Sequence, residues 1–260
     1  MTALSNERPV KPLGLRLRSL ASVVLLLAIW EFAARAHLAP PILLPAFTVV
    51  AADLGRIIAD GSLADDLALS LYRAFAGLAL AGASGILVGM LMARSRVAHW
   101  LMDPLVALGF PSPKIAFLPV FILWFGIESL SKILLVAFAC VFPVIIGTYN
   151  AARAVNHVLL WSAFSLGTTQ HALLVRVILP ACYPRIFATL RIALPVALIT
   201  TFTAEMVAGG GGMGATLVYS QRFFESPTVF AYILVMLGVG LLLDAAMRAF
   251  QRHYLAWAQE

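Results

Sequence analysis

Charge is what this chain has least of. Of its 260 residues only 12% are Asp, Glu, Lys or Arg, while 62% are hydrophobic, and the mean hydropathy is +0.96. Soluble domains carry about 25% charged and about 45–50% apolar residues. Half the usual charge cannot coat a water-facing surface, so the bilayer is the expected solvent. Cysteine is almost missing too. Cys140 and Cys182 lie far apart in apolar sequence, which excludes a CxxC redox pair or a thiolate metal site and leaves two small buried hydrophobes. No lysine follows a glycine, so there is no phosphate-cradling P-loop. His37, His99, His157, His171 and His253 are scattered without metal-ligand spacing, and Ser165 has no His or Asp in a triad arrangement. Gly209-x-Gly211-x-x-Gly214 has the letters of a dinucleotide fingerprint, but it follows an apolar run and no βαβ unit surrounds it. No catalytic residue and no metal site are expected.

What is present is a series of apolar runs. A spanning helix needs roughly 20 mostly apolar residues. Six runs qualify: about Leu20 to Ala36, Leu69 to Met92, Val97 to Phe125, Leu130 to Asn150, Ile186 to Val207 and Thr228 to Phe250. The fold class is therefore all-α, a polytopic membrane protein with six transmembrane helices. Its organisation reads as a cytoplasmic segment 1–19, a first span 20–36, a periplasmic connection 37–68, a core 69–250 and a cytoplasmic tail 251–260. Ala34-Arg35-Ala36 mimics a signal-peptidase site, but Glu31 and Arg35 argue for a retained span. Phe47 to Asp60 is amphipathic, and Ser62 to Asp65 resembles a capping box that opens the second span. Pro111-Ser112-Pro113-Lys114 interrupts the third. A more polar loop, 151–184, separates the fourth and fifth.

The formal charge of +6 is distributed as a topology signal, not as a nucleic-acid patch. With the N-terminus inside, 12 of the lysines and arginines fall on cytoplasmic segments and 3 (Arg56, Lys132 and Arg222) on outer loops. Both termini and the loop 151–184 are then cytoplasmic. Trp30, Trp100, Trp124, Tyr149, Trp161 and Trp257 sit near span ends, where aromatic anchors collect.

The loop 151–184 carries Ser165-Leu166-Gly167, then Val177-Ile178-Leu179-Pro180 and Pro184. A glycine after a short helix lets the chain turn, and Pro180 is expected to end the next helical piece. Elsewhere stand Ser70-Leu71-Tyr72-Arg73 with Gly77, Asp103-Pro104, Pro113-Lys114-Ile115-Ala116-Phe117-Leu118-Pro119, Phe121-Ile122-Leu123-Trp124-Phe125-Gly126-Ile127 and Ser131-Lys132-Ile133. Ala204-Glu205-Met206 precedes the glycine cluster that ends in Gly212-Met213-Gly214. Together these resemble the permeases of bacterial ABC importers, in the nitrate/sulfonate/taurine branch, over roughly Leu44 to Tyr254.

That resemblance implies a five-helix core in the inner membrane and a homodimer with the pathway at its interface. It implies two cytoplasmic ATPase subunits, which hold the ATP and Mg while this chain holds no cofactor, and a periplasmic substrate-binding protein. It places an EAA-type coupling helix at Trp161, Ser162, Ala163, Ser165, Leu166, Gly167 and Thr168, with Pro180 beyond. Trp161-Ser162-Ala163 departs from the family's usual Glu-Ala-Ala, so the acid is missing and tryptophan can fill an apolar part of the ATPase groove. The implied solute is a small anion or zwitterion: an alkyl sulfonate, taurine, nitrate or a related acid. Some relatives carry aromatic acids or vitamin and pyrimidine precursors instead.

The pathway or gate candidates are Lys114, Arg73, Glu205, Trp124 and Met206. Lys114 is either a cationic lining for an anion or an interface lysine reaching headgroups. Glu205 either pairs with Arg73 as a periplasmic gate or stands alone at headgroup level. Gly77, Ala81, Gly85 and Gly89 form a small-residue ridge, for packing within one subunit or for a dimer or pathway interface. From other classes, an ion-driven secondary carrier would need more spans or internal inverted repeats, and an intramembrane enzyme paired polar groups within the spans. Neither is found. A purely structural membrane subunit is the remaining alternative.

Overall fold

The computed structural model describes residues 13–254. Arg8, Lys11, Trp257 and the last residues of the expected cytoplasmic tail lie outside that range. The described chain is a succession of helices: α1 (Leu13–Arg35), α2 (Phe47–Ala59), α3 (Ser62–Arg94), α4 (Arg96–Gly109), a 3-10 turn (Lys114–Phe117), α5 (Leu118–Phe125), α6 (Ser129–Arg153), α7 (His157–Ser165), α8 (Gln170–Leu173), a π-helical turn (Leu174–Ile178), α9 (Leu179–Ala208), α10 (Met213–Arg222) and α11 (Ser226–Tyr254).

Among the described residues, four helices are long and apolar enough to cross a bilayer: α3, α6, α9 with the π turn before it, and α11. They lie where the second, fourth, fifth and sixth spans are expected. The third is no straight crossing. Pro111 and Pro113 break it, and α4 meets the 3-10 turn and α5 at 96°. Taken as one broken span, that pair makes a fifth crossing. The first expected span falls on α1, a continuous helix of 23 residues.

Local chemistry sets several of the boundaries. Gly61, at φ +82°, is the N-cap of α3, and Asp60 supplies the capping oxygen expected of Ser62. Its Oδ1 accepts from the Ser62 amide at 2.9 Å and the Ser62 hydroxyl at 2.7 Å. Those bonds hold the Asp60 carboxyl below the usual carboxylate range. The expected capping box does not form: the N-cap is Gly61, whose carbonyl accepts from the Asp65 amide at 3.3 Å, while Asp60 takes the Ser62 amide. Pro180 corrects a second expectation. It does not end a helix but lies in the first turn of α9, just after the π turn, where a missing N–H is tolerated. The N-cap of α2, Ala46, has no side-chain oxygen to offer. Glu31 of α1 serves instead, accepting from the Thr48 amide at 3.1 Å while paired with Arg35.

The centre is α3 against α6, with α9 closing the third side around Ala81, Val136, Cys140, Val144, Ala193 and Ala197. The small-residue ridge makes this approach possible. A Cβ added at Gly77 would fall 2.6 Å from the Val136 Cβ, at Gly85 2.8 Å from the Val144 Cβ, and at Gly89 2.7 Å from the Ile145 carbonyl. The ridge packs within one subunit. Cys140 and Cys182 are both free and buried. The apolar side of α2 covers α10 and α11 through Val50, Ile57, Met213, Leu217 and Tyr232. Burial sorts the spans: 56% of the apolar window of α6 is buried against 17% of that of α11, so α6 is the axis and α11 the flank.

Candidate functional site

Two features stand at opposite ends of the bundle, separated by the length of α6, 25 residues or roughly 37 Å of helix.

At the first end, α3 places Asp66, Ser70 and Arg73 on one face by their spacing of four and three. The last turn of α9 brings Glu205 against them. Arg73 Nη1 lies 2.7 Å from Glu205 Oε1, and the side chains are 1% and 0% exposed. The Ser70 hydroxyl is 3.0 and 2.8 Å from the two carboxylate oxygens, and the Gly214 amide donates to Oε2 at 3.1 Å. These donors offset two costs, the loss of water and the position of a carboxylate at a helix C-terminus.

Arg73 is saturated as well. It donates to the carbonyls of Gly211 (2.7 Å) and Gly210 (2.8 Å) and, through Nε, to Ser129 Oγ (3.1 Å). The glycine run makes this wrapping possible. Gly209 to Gly212 all have positive φ, and a Cβ at Gly212 would sit 2.6 Å from the Glu205 carboxyl carbon. The start of α10 is capped from another helix: the Gly212 amide donates to Asp66 (3.2 Å) and the Met213 amide to Ser70 (2.9 Å). Asp66 also accepts from Thr216 (2.6 Å) and Tyr232 (2.7 Å), which ties α3 to α10 and α11.

Lys132 completes the clasp. It is fully buried in the first turn of α6, not exposed in an outer loop as its sequence position suggests. Its ammonium donates to the Ile127 carbonyl at 2.6 Å. A cleft of about 420 Å³ opens beside the clasp, lined by Met206, Gly209, Thr216, Tyr219 and Arg222 among others.

Lys114 stands at the elbow of the broken span. Its ammonium donates to the Phe110 carbonyl and lies 5.7 and 5.6 Å from the ring centres of Phe110 and Phe142. Rings continue from there through Phe138, Phe117 and Phe121 to the exposed Trp124.

At the second end, α7 follows the last turn of α6. Asn156 caps it, accepting from the Val158 amide at 2.9 Å, and Gly167 at φ +78° turns the chain out of it. Ala163 packs inward, while Trp161 is 69% and Leu166 86% exposed. Ser162 and Ser165 are exposed, and the Thr168 amide closes the turn on the Ala163 carbonyl. Tyr149 and Arg153 at the end of α6 bond to each other, and the Tyr149 ring stacks on His99 of α4 at 5.0 Å.

Of the sequence-derived candidates, the structure joins Arg73 to Glu205, sets Met206 at the adjoining cleft, and places Lys114 and Trp124 along a separate aromatic row. Sequence reasoning misses Asp66, Ser70, Ser129, Lys132 and Tyr232. The polar stripe at 66, 70 and 73 on a mostly apolar helix is the signal that could have found the first two.

A bundle of bilayer-length helices, with a buried polar clasp at one end and a short helix exposing apolar side chains at the other, defines a polytopic membrane protein. Residues 85–255 match the binding-protein-dependent transport system inner membrane component, and the chain belongs to this family of ABC importer permeases. It is 32% identical to the putative aliphatic sulfonates transport permease protein SsuC of Bacillus subtilis, over 93% of this chain and 87% of that one. It is 34% identical to the taurine transport system permease protein TauC of Escherichia coli, over 93% and 90%. The fold matches a structure of the MetNI methionine ABC transporter in an inward-facing conformation, with a TM-score of 0.64 at 16% identity, over 71% of this chain and 92% of that one.

Proposed function

We propose that this chain, paired with a second copy, forms the membrane pathway of an ATP-driven importer for a small anionic or zwitterionic solute of the alkyl sulfonate or taurine kind. The names of the SsuC and TauC relatives support the solute class. The observation that carries the coupling reading is α7: a capped short helix that exposes Trp161 and Leu166 at the end of the bundle away from the clasp. An exposed tryptophan beside an exposed leucine suits a protein groove.

In this reading α7 faces the cytosol and docks on a separate ATPase subunit, which binds the ATP and Mg. A binding protein delivers the solute at the clasp end. Closure of the ATPase pair pushes on α7. The movement passes into α6 and α9, which flank it in sequence, and the bundle alternates between inward and outward openings. Arg73 and Glu205 act as an outer gate contact, with Met206 beside it. Lys114 and Trp124 line the pathway, the ammonium attracting an anion. The chain makes and breaks no covalent bonds.

The test is reconstitution. Proteoliposomes holding this chain and its ATPase are expected to take up taurine or an alkyl sulfonate only with ATP on the ATPase side and a binding protein opposite. Uptake driven by an ion gradient without ATP would replace this reading with a secondary carrier.

A further inference from the structure

α9 and α11 touch at two levels and part between them. At the clasp end Phe202 and Met236 join the cluster around Met213 and Tyr232. At the other end the Phe187 and Phe250 rings stack at 5.1 Å, and Arg191 Nε lies 2.9 Å from Asp244 Oδ1. Between these levels lies an apolar groove of about 500 Å³, lined by Pro195, Leu198, Phe202, Met236, Gly240 and Asp244, among others. That volume falls in the range of about 300–1,000 Å³ that holds small ligands. Gly240 lines the groove, and nothing lies within 4 Å of a Cβ added there, so this glycine does not serve close helix packing.

The end of the groove away from the clasp is basic. Asp244 is shared by Arg191 and by Arg248, whose side chains are 34% and 43% exposed, so one carboxylate faces two guanidinium groups. Arg252 follows one turn further along α11. The cleft is thus long and apolar, runs along the flank of the bundle and ends in excess positive charge.

We propose that this groove is a binding site for an anionic phospholipid, with one acyl chain between α9 and α11 and the headgroup phosphate at Arg248 and Arg191. Basic pockets between spans on the cytoplasmic side recognise anionic headgroups in this way. Arg248 and Arg252 sit on the half of α11 nearer its C-terminus and Arg191 on the half of α9 nearer its N-terminus, the side that the distribution of lysine and arginine assigns to the cytoplasm. The site itself does not require that this chain import a sulfonate. A neutral phospholipid would fill the groove but leave the excess charge unanswered.

The experiment uses the full chain, reconstituted in equal amounts of phosphatidylglycerol and phosphatidylcholine, re-extracted gently, and analysed for retained lipid by native mass spectrometry. Wild type is expected to retain phosphatidylglycerol preferentially. Arg248→Gln, at a part-exposed position, is expected to lower that preference about fivefold, the effect of one basic residue near an anionic surface. Gly240→Phe is expected to remove bound lipid of both kinds. Equal retention of the two lipids by wild type, or a phosphatidylglycerol preference that survives Gly240→Phe, would overturn the site. So would a disulfide from Leu237→Cys to a second copy in the membrane, which would make the groove a subunit interface. None of these outcomes bears on ATP-driven uptake, so the two readings fail separately.

Discussion

Arg73 Nη1 and Glu205 Oε1 lie 2.7 Å apart, fully buried, yet neither is a simple partner of the other. The carboxylate is also held by Ser70 and the Gly214 amide, and the guanidinium by two glycine carbonyls. Each group is fitted to its own surroundings as well as to the opposite charge. Removing one partner of such a pair strands a buried charge, at a cost of about 3–5 kcal/mol. Arg73→Met is therefore expected to lower the thermal unfolding temperature of the purified protein strongly, and Glu205→Gln to do so too. Unchanged unfolding temperatures would contradict the clasp.

The same inventory predicts that exchanging the charges does not help. In Arg73→Glu with Glu205→Arg, the new carboxylate faces the carbonyls of Gly210 and Gly211, and the new guanidinium faces the Gly214 amide. The double variant is expected to be no more stable than either single one. Recovery of uptake and stability in the double variant would show that charge pairing alone matters here.

Two glycines separate packing from composition. A Cβ at Gly214 would fall 2.9 Å from the Glu205 Cβ and 3.0 Å from the Met206 amide nitrogen, whereas nothing lies within 4 Å of one at Gly238. Gly214→Ala is expected to destabilise by about 1–3 kcal/mol, the usual cost of overpacking. Gly238→Ala should be neutral or slightly stabilising, since alanine is the better helix former. Thermal melts of the two variants check this, and equal effects would refute it.

Trp161 is exposed and makes no contribution to the core of this chain. Trp161→Ala is expected to leave its unfolding temperature unchanged while reducing co-purified ATPase subunit, with a loss of about 2 kcal/mol or more if the indole is a central anchor. Undiminished co-purification and coupled ATPase activity would remove Trp161 from the interface.

Lys114→Met tests the elbow. If the ammonium attracts the solute, uptake is expected to lose affinity by roughly tenfold, the equivalent of one charge-assisted hydrogen bond of about 1.5 kcal/mol. Uptake at the wild-type rate and affinity would leave Lys114 as a lysine that serves only its local carbonyl and rings.

The helices are legible in the sequence because lipid demands long apolar runs, and α3, α6, α9 and α11 lie where those runs lie. The helix ends are not. Asp60 takes the capping role expected of Ser62, and Pro180 opens a helix it is expected to close, because both outcomes depend on where the backbone turns. The glycine cluster signals unusual backbone, but its purpose needs the position of Arg73, 136 to 139 residues away in sequence. Lys132 eludes sequence reading for the same reason. A lysine close to an acidic residue looks like a loop until the fold shows the Ile127 carbonyl that receives it.

The most direct test of the whole account is the sidedness of α7. With Cys140 and Cys182 buried, background labelling is low, and Leu166→Cys offers an exposed thiol at the end of α7 while Phe224→Cys offers one near the clasp. A membrane-impermeant maleimide applied to intact spheroplasts is expected to label the cysteine at 224 and to reach the one at 166 only after permeabilisation. Labelling at 166 in intact spheroplasts would place α7 outside and contradict the account.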